Sequence, residues 1–379
     1  MQNTQIRLRM KTIKFFSKLL LSILLAGILP ASALHAQQYE KSREESKGFP
    51  AGAETTIQVV NKYGNIHVLP WDKDSVRFDV SIRVESGKQS KVEKTFENIS
   101  IEFTESMYYV IAQTVFGNQK SAFWTDVTDL ANSMLSSGSA AQIDYTIYVP
   151  ADNELSIENK FGNVYMTDHR GKVVIKLSNG DFRGGSFKQM ELEHSFGNVI
   201  VDNLASASLE LSYSELKLKK AGELRITSKS SKATIESSSN IRINSRRDTY
   251  YFDEAGMING ETSFSYLTFH RLNGDLILTT NYGSLGIDSY GKGFSMLNVA
   301  AAYTDISSIC NSGFNYYLET YYDQKTRMIY PQTPPIFGLE EIDKDAGQYL
   351  LSGHVGSNAE NIPRLKFSLK GGSFNLVQQ

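Results

Sequence analysis

Short runs of alternating hydrophobic and polar residues recur along this chain, separated over its central part by 17 or 18 residues. A clear copy is the stretch LSIENKFGNVYM at Leu155–Met166, in which every second residue suits a core until a Gly-Asn pair interrupts the pattern, after which the alternation resumes. Alternation with a period of two on both sides of a glycine turn predicts two short β-strands, each with one buried face. The pattern therefore predicts a β-rich architecture.

The pattern returns twelve times, once in a weak form. The copies begin at Ile57, Leu155, Val173, Met190, Ala207, Leu224, Ile241, Ile258, Leu276, Leu297, Tyr316 and Leu365, the copy at Tyr316 being the weak one. A unit this short cannot bury its apolar face alone, so neighbouring copies must stack and pair edge to edge about 4.8 Å apart. The predicted fold class is all-β, a β-solenoid of about ten to twelve rungs.

Stacking places equivalent residues in columns that run across the copies. One expected column is aromatic, with gaps at Asn179, Ser230, Arg247 and Gly371. Its members are Tyr63, Phe161, Phe196, Tyr213, Phe264, Tyr282, Tyr303 and Tyr322. A second column is small or polar and includes Asn159, Ser228, Ser245, Thr262, Thr280 and Thr320. Both columns hold inward positions of the alternation, so both are interpreted as parts of the interior.

The same patterning divides the chain into five segments. They are a signal peptide at 1–36, a loose linker at 37–56, a first rung with a small α+β cap at 57–150, the solenoid at 151–322, and an irregular insertion with the final rung at 323–379. The first segment has a basic start and an apolar run, Leu19–Leu29, followed by small residues. This is typical of a secretory signal, and the run is too short to span a membrane.

Two short helices are expected outside the repeated copies. Ser90 and Glu93 have the spacing of a capping box that would open the first helix, within the cap. The second is an amphipathic helix around Val127 and Leu130, in the insertion at 116–141. We expect it to fold back on the cap, with docking of a partner as the alternative.

Charge and cysteine content narrow the function classes. The full chain has 39 Lys and Arg and 41 Asp and Glu. Removal of the signal deletes five basic residues and no acidic ones, which leaves 34 against 41 and a net charge near −7. An acidic exported protein is a poor candidate for nucleic-acid binding. The single cysteine, Cys310, cannot form an internal disulfide, so stability must come from the stacked core.

Three motifs carry a resemblance to a known family. They are Asn-Lys-Tyr-Gly-Asn-Ile at 61–66, Asn-Lys-Phe-Gly-Asn-Val at 159–164 and Ser-Phe-Gly-Asn-Val at 195–199. With the strand-then-proline segment 143–150, they make the chain resemble exported envelope proteins, common in Bacteroidetes, that are described as adhesins or as β-strand-repeat domains of unknown function. The resemblance implies a right-handed parallel β-helix at the cell envelope, in the periplasm or on the outer surface, and no established chemistry.

Sequence motifs for catalysis are sparse. The six histidines, His35, His67, His169, His194, His270 and His354, have no partners at metal-ligand spacing. His194 holds an inward position and is interpreted as a core residue. The sequence therefore predicts no cofactor, no metal and no enzyme activity. The alternative is a polysaccharide-active lyase or hydrolase, in which the outward neighbours Glu193 and Glu210, beside Lys176, would supply acid and base groups.

A cluster of basic and aromatic residues favours binding instead. Two adjacent copies supply the cations Arg225, Lys229, Lys232, Arg242 and Arg246, with Tyr251 and Tyr266 beside them. A positive patch on an acidic protein suits an anionic glycan, and exposed tyrosines can stack on sugar rings. The expected function is a non-enzymatic envelope module, an adhesin or structural protein, whose partner is such a glycan or another envelope protein.

Overall fold

The computed structural model describes residues 38–117, 139–332, 337–356 and 362–379. The predicted signal peptide at 1–36 and the predicted helix around Val127 lie outside these ranges. The described chain is nearly all-β, and its strands belong to one mixed sheet that does not close on itself. The all-β class is therefore confirmed.

The described residues form twenty strands and one helix. The strands are β1 (Tyr39–Pro50), β2 (Thr56–Lys62), β3 (Ile66–Trp71), β4 (Ser75–Ser86), β5 (Ile99–Glu105), β6 (Tyr109–Phe116), β7 (Ser139–Pro150), β8 (Leu155–Lys160), β9 (Val164–Met166), β10 (His169–Ser178), β11 (Phe182–Lys229), β12 (Lys232–Arg246), β13 (Thr249–Leu272), β14 (Leu276–Ile287), β15 (Met296–Cys310), β16 (Tyr316–Asp323), β17 (Arg327–Ile329), β18 (Phe337–Asp343), β19 (Gln348–Val355) and β20 (Arg364–Gln378). The helix, α1, is Gln89–Glu97. The longest strands run through several sequence copies without a break.

Successive copies of the central region pair in parallel and in register. Leu224 lies opposite Ile241, and Ile241 lies opposite Ile258. All three side chains are buried, as are their equivalents in the neighbouring copies. The predicted alignment of equivalent residues in columns is confirmed here, because a shift of one residue would turn every buried side chain outward.

The C-terminal copies are not stacked in their sequence order. β20, the copy that begins at Leu365, pairs in parallel with β15 on one side and with β16 on the other. It therefore lies between two copies that are neighbours in sequence. The register of β20 with β15 extends from Met296–Arg364 to Cys310–Gln378, whereas its register with β16 covers only six residue pairs.

Antiparallel strands cover both ends of the parallel array. At one end, β19 pairs antiparallel with β16 and β18 with β19, so part of the segment predicted to be irregular is a hairpin. At the other end, β6 and β7 pair in parallel with β2 and β3, and β5 and β4 then pair antiparallel with them. These additions satisfy backbone groups that an open terminal copy would expose.

Two expectations for the N-terminal region were wrong. Most of the predicted loose linker forms strand β1, which pairs with β4 although its sequence is polar. The predicted helix exists as α1, and its Val92 and Phe96 are buried. However, its N-cap is Lys88, and no side chain caps it, so the spacing of Ser90 and Glu93 does not produce a capping box.

The glycines that follow the first strand of many copies permit close backbone contact. A Cβ atom added to Gly162 would lie 1.9 Å from the carbonyl oxygen of Gly64, and one added to Gly180 would lie 2.0 Å from that of Gly162. At these two glycines a side chain would overlap the backbone of the neighbouring copy, although other copies hold Ser214, Ser231 or Asp248 at the equivalent position. In the copies that have it, the glycine thus permits close contact between copies as well as a turn.

Replacing this glycine should destabilise the stack. We expect Gly162→Ala to lower the free energy of unfolding by about 1–3 kcal/mol, because the added methyl group would overlap backbone atoms rather than a movable side chain. Urea denaturation followed by circular dichroism would measure it. Gly87→Ala is the matched control, since a Cβ atom there meets nothing within 4 Å. Equal stability of the two variants would contradict the close-contact explanation.

Candidate functional site

One backbone corner recurs in eleven of the twelve copies, at the residue before the glycine position; the copy that begins at Tyr316 lacks it, so Tyr322 is not part of this column. In the described part of the chain, Gly371 and ten other residues have a positive φ angle at this corner, the ten being Tyr63, Phe161, Asn179, Phe196, Tyr213, Ser230, Arg247, Phe264, Tyr282 and Tyr303. The strand registers place all ten at the same position of their copies. The left-handed conformation costs an L-residue about 1–2 kcal/mol, so its repetition with bulky side chains marks this corner as unusual.

The aromatic side chains at this corner point outward, so the prediction that they are interior was wrong. Phe196 and Tyr213 are 53% and 50% exposed, and Phe161, Phe264, Tyr282 and Tyr303 are exposed to a similar degree. Strict alternation from the buried Asn159 would turn Phe161 inward. The left-handed residue breaks that alternation and turns its own side chain to the outside.

The exposed rings stack on one another in three groups, which together we name the aromatic column. Ring centroids are separated by 5.3 Å in Tyr63–Phe161, 5.0 Å in Phe196–Tyr213, 5.0 Å in Phe264–Tyr282 and 5.2 Å in Tyr282–Tyr303, with nearly parallel planes. Asn179 separates the first group from the second. Ser230 and Arg247 separate the second from the third. Each of these interruptions leaves a ring face of the column without a stacked neighbour.

The predicted small or polar column is buried, as expected. Asn159 donates from Nδ2 to the carbonyl oxygens of Gly64 and Gly162, at 2.9 and 3.0 Å. These contacts satisfy buried backbone carbonyls of the corner in this copy. The equivalent residue is Leu177 in the next copy and His194 in the one after it, so the residue type changes from copy to copy. Larger hydrogen-bond networks surround His194 and Asp248 on the same side of the corner.

The largest of these networks surrounds Asp248, which is buried. Its carboxylate accepts hydrogen bonds from the hydroxyls of Ser228 and Ser245, at 2.6 and 2.7 Å, and from the backbone nitrogens of Ser231 and Arg246, at 2.7 and 2.9 Å. Four donors compensate for the removal of the carboxylate from water. Asp248 takes the position that glycine holds in other copies. Its hydrogen bonds to Ser231 and Arg246 hold the backbone next to Ser230 and Arg247 in place.

A ladder of amides and carboxylates runs along the outer side of the corner. In each step a side-chain oxygen accepts a hydrogen bond from the backbone nitrogen of the next copy. The side chain of Asn65 accepts from the nitrogen of Asn163, the side chain of Asn163 accepts from the nitrogen of Asp181, and the side chain of Asp181 accepts from the nitrogen of Asn198, at 2.8–2.9 Å. The glycine and the Asn or Asp that follows it were expected to form turns only. The recurrence of Asn or Asp at equivalent positions of successive copies was the signal that could have revealed the ladder.

His194 is a buried core residue, as predicted. Its Nε2 lies 2.9 Å from the carbonyl oxygen of Gly180 and its Nδ1 lies 2.7 Å from the hydroxyl of Ser214. The carbonyl can only accept, so the neutral ring carries its proton on Nε2. Burial lowers the pKa of His194, and the hydrogen bond to Gly180 and the charge of Asp181 offset this in part.

The predicted basic residues fall into two groups. Arg225 lies directly opposite Arg242, and Lys229 lies directly opposite Arg246, on the exposed face of the strand before the corner. We name these four residues the basic face. Arg225 and Arg242 also line an open depression that includes Glu223 and Asn240. The structure therefore brings four of the five predicted cations together on one surface.

Lys232, Tyr251 and Tyr266 lie on the strand after the corner. The Lys232 nitrogen is 4.0 Å from the Glu215 carboxylate and 5.9 Å from the centre of the Tyr251 ring. Lys232 is opposite Thr249, so it occupies a different column from the basic face. The corner at Ser230 and Arg247 lies between the two groups. These two corner residues were not among the predicted site residues.

Glu193 is exposed and lies opposite Lys176, as the pattern predicted for the outward column. Glu210 is exposed as well. Among the residues that the structure describes, no group of three or more His, Cys, Asp or Glu side chains could hold a metal ion. In the same ranges, no helix has the length and apolar character needed to cross a membrane.

Searches of protein-family models and of curated proteins find no match for this chain. Solved structures with similarity include a "putative cell adhesion protein" from Clostridium sporogenes, at 9% identity and a TM-score of 0.17, covering 89% of this chain and 100% of the other. Two come from Parabacteroides distasonis. A "putative lipid binding protein" has 14% identity and a TM-score of 0.32, covering 69% of this chain and 93% of its own, and a "putative adhesin" has 11% identity and a TM-score of 0.28, covering 70% and 93%. Similarity this low carries no argument about function.

Acid should destabilise the protein through its buried histidines. Because burial lowers the pKa of His194, the unfolded chain binds more protons below its own pKa of about 6.5, so stability falls as the pH drops through and below that value. His169 contributes in the same direction. Urea midpoints measured between about pH 7.5 and 5.5 would show the decline.

The variant His194→Asn separates the two histidines. Asparagine is the residue at the equivalent position of the copy that contains Asn159, and it does not titrate, so we expect a smaller loss of stability in acid than in the wild type. His270→Asn, at an exposed position, is the control and should keep the full decline. A pH profile unchanged by His194→Asn would contradict the assignment.

Proposed function

We propose that this chain is an exported, right-handed parallel β-solenoid that serves as an adhesin or other non-enzymatic binding module of the cell envelope. Its ligand is an anionic glycan, bound on the basic face. The in-register parallel copies and their covered ends support the solenoid assignment. The basic start and apolar run at 1–36 support export.

The observation that carries this proposal is the direct opposition of like charges on the basic face. Arg225 faces Arg242 and Lys229 faces Arg246 across about 4.8 Å of strand spacing. Like charges directly opposite each other in a sheet destabilise it. A ligand with several negative charges would offset the repulsion, and the two pairs lie about 13 Å apart along their strands. This spacing suits a polymer with regularly placed charges better than a single small anion.

The proposal has a direct binding test. We expect the double variant Arg225→Ala with Arg242→Ala to bind polygalacturonate at least about tenfold more weakly than the wild type, since each hydrogen bond to a charged group contributes about 1.5–3 kcal/mol. Wild-type affinity should fall as salt is added. Calorimetry or surface plasmon resonance would measure both effects.

A matched control removes the same charge elsewhere. Lys188→Ala with Lys220→Ala deletes two exposed cations outside the basic face and should retain the wild-type affinity. Unchanged binding in the Arg225 and Arg242 double variant, or no polygalacturonate binding by the wild type, would contradict the proposal. Release of unsaturated sugars or new reducing ends, lost in Glu193→Gln, would instead favour the polysaccharide-active enzyme.

Export can be tested independently. We expect the mature protein to lack the basic and apolar residues of the signal, and to begin close to Gln37 when it is recovered from the envelope fraction. Mass spectrometry of the intact protein would locate its first residue, and proteolysis of intact cells would separate the outer surface from the periplasm. Recovery of an uncleaved chain from the cytoplasm would refute the export assignment.

A further inference from the structure

The interruption of the aromatic column at Ser230 and Arg247 has the form of a slot. Tyr213 and Phe264 flank it, and three strand spacings separate their copies, about 14 Å. The backbone of the corner continues without change across the interruption. Ser230 and Arg247 keep the left-handed conformation, and their backbone nitrogens donate to Arg246 and Ser263 at 3.0 and 2.9 Å. Only the ring side chains are missing.

We propose that this slot is a subsite for one ring of an acidic sugar, which lies at the level of Ser230 with one face against the ring of Tyr213. The inference rests on the proposed function, because it identifies where one residue of an anionic glycan would sit. The ligand ring would take the place that an aromatic ring with a stacked neighbour takes in seven other copies. The ladder of stacked rings would then continue through the bound ligand.

The spacing of the copies suits a ring at this level. Neighbouring rings in the aromatic column are 5.0–5.3 Å apart between centroids, a distance that the strand spacing sets. A sugar ring placed beside Tyr213 would lie at the same level as the missing aromatic ring, with its C–H groups against the face of Tyr213. The slot also opens into a shallow depression lined by Tyr213, Ser230 and Arg247.

The charges around the slot favour an anionic ring. Lys232 and the exposed Arg247 line the depression, and Lys229 and Arg246 of the basic face precede the two corner residues directly. Glu215 is the acidic residue at the depression, and Lys232 lies 4.0 Å from it. A carboxylate on the ligand ring would therefore meet an excess of positive charge, whereas a neutral ring would gain only the stacking contact.

The interruption at Asn179 offers a natural comparison. It also leaves space between rings, those of Phe161 and Phe196, but the residue two positions after it is Asp181, which belongs to the ladder of amides and carboxylates. No lysine or arginine occupies the equivalent position there, in contrast to Lys232 after Ser230. An anionic ring would meet like charge at Asn179. The two sites can thus be separated by filling each one with a tyrosine.

The experiment measures binding of trigalacturonate by saturation-transfer NMR and calorimetry. We expect Ser230→Tyr, which completes the column as the neighbouring copies do, to weaken binding at least about tenfold, because its ring fills the slot. Tyr213→Gly should weaken it too, since glycine keeps the left-handed corner but removes the ring face. Asn179→Tyr is the matched control and should bind as the wild type does. Circular dichroism would verify that all three variants fold.

The outcomes separate this subsite from the proposed function. Trigalacturonate binding that is equal in Ser230→Tyr and Asn179→Tyr, or absent in the wild type, would overturn the subsite. If polygalacturonate binding still depended on Arg225 and Arg242, the proposed function would stand alone. Equal binding of a neutral galactotriose, competition by a DNA oligonucleotide, or dimerisation that Ser230→Tyr abolishes would each refute an acidic sugar as the occupant.

Discussion

The close parallel contact between successive backbones at the left-handed corner is the constraint on which the rest of the structure depends. Each copy must turn there without moving away from its neighbour, so the residue at the corner takes a positive φ angle and the next residue is glycine or a small polar residue. Gly162 shows why, because a side chain in its place would occupy the position of the Gly64 carbonyl oxygen. The strain of the corner is accepted ten times in residues other than glycine. Side chains that would be interior in a continuous strand consequently lie on the surface.

The interior compensates for the same corner. A tight turn inside a stack leaves carbonyl and amide groups that water cannot reach, and these must find partners. The amide of Asn159 donates to two backbone carbonyls. The ring nitrogens of His194 contact a backbone carbonyl and a serine hydroxyl, and the carboxylate of Asp248 accepts from two backbone nitrogens and two hydroxyls. The chemical solution therefore varies from copy to copy while the backbone does not. This variation explains why the repeat is recognisable by spacing more than by residue identity.

Sequence patterning predicted the strands and buried positions well, since apolar alternation follows directly from a half-buried strand. It failed where alternation carries no information. The outward direction of Phe196 and Tyr213 depends on a φ angle that residue type does not reveal, and a bulky aromatic residue is among the least expected at a positive φ. The position of β20 between β15 and β16 depends on the pairing of Leu365 with Leu297 and with Leu318, residues that are far apart in the sequence. Strand β1 was missed because its composition is polar, although an edge strand can be polar on both faces.

The repetition also gives a standard against which single copies can be judged. A stack requires close contact at the corner and apolar residues inside, and neither requirement selects the outward residues, which are therefore free to serve another purpose. In the two copies that contain Ser230 and Arg247, the aromatic column stops and cations face each other on the preceding strand. Opposed like charges and the loss of stacked rings both lower stability. Two separate columns depart from the regular pattern at the same two copies, so a common cause is more economical than two independent ones, and a ligand that brings negative charge and a ring would account for both.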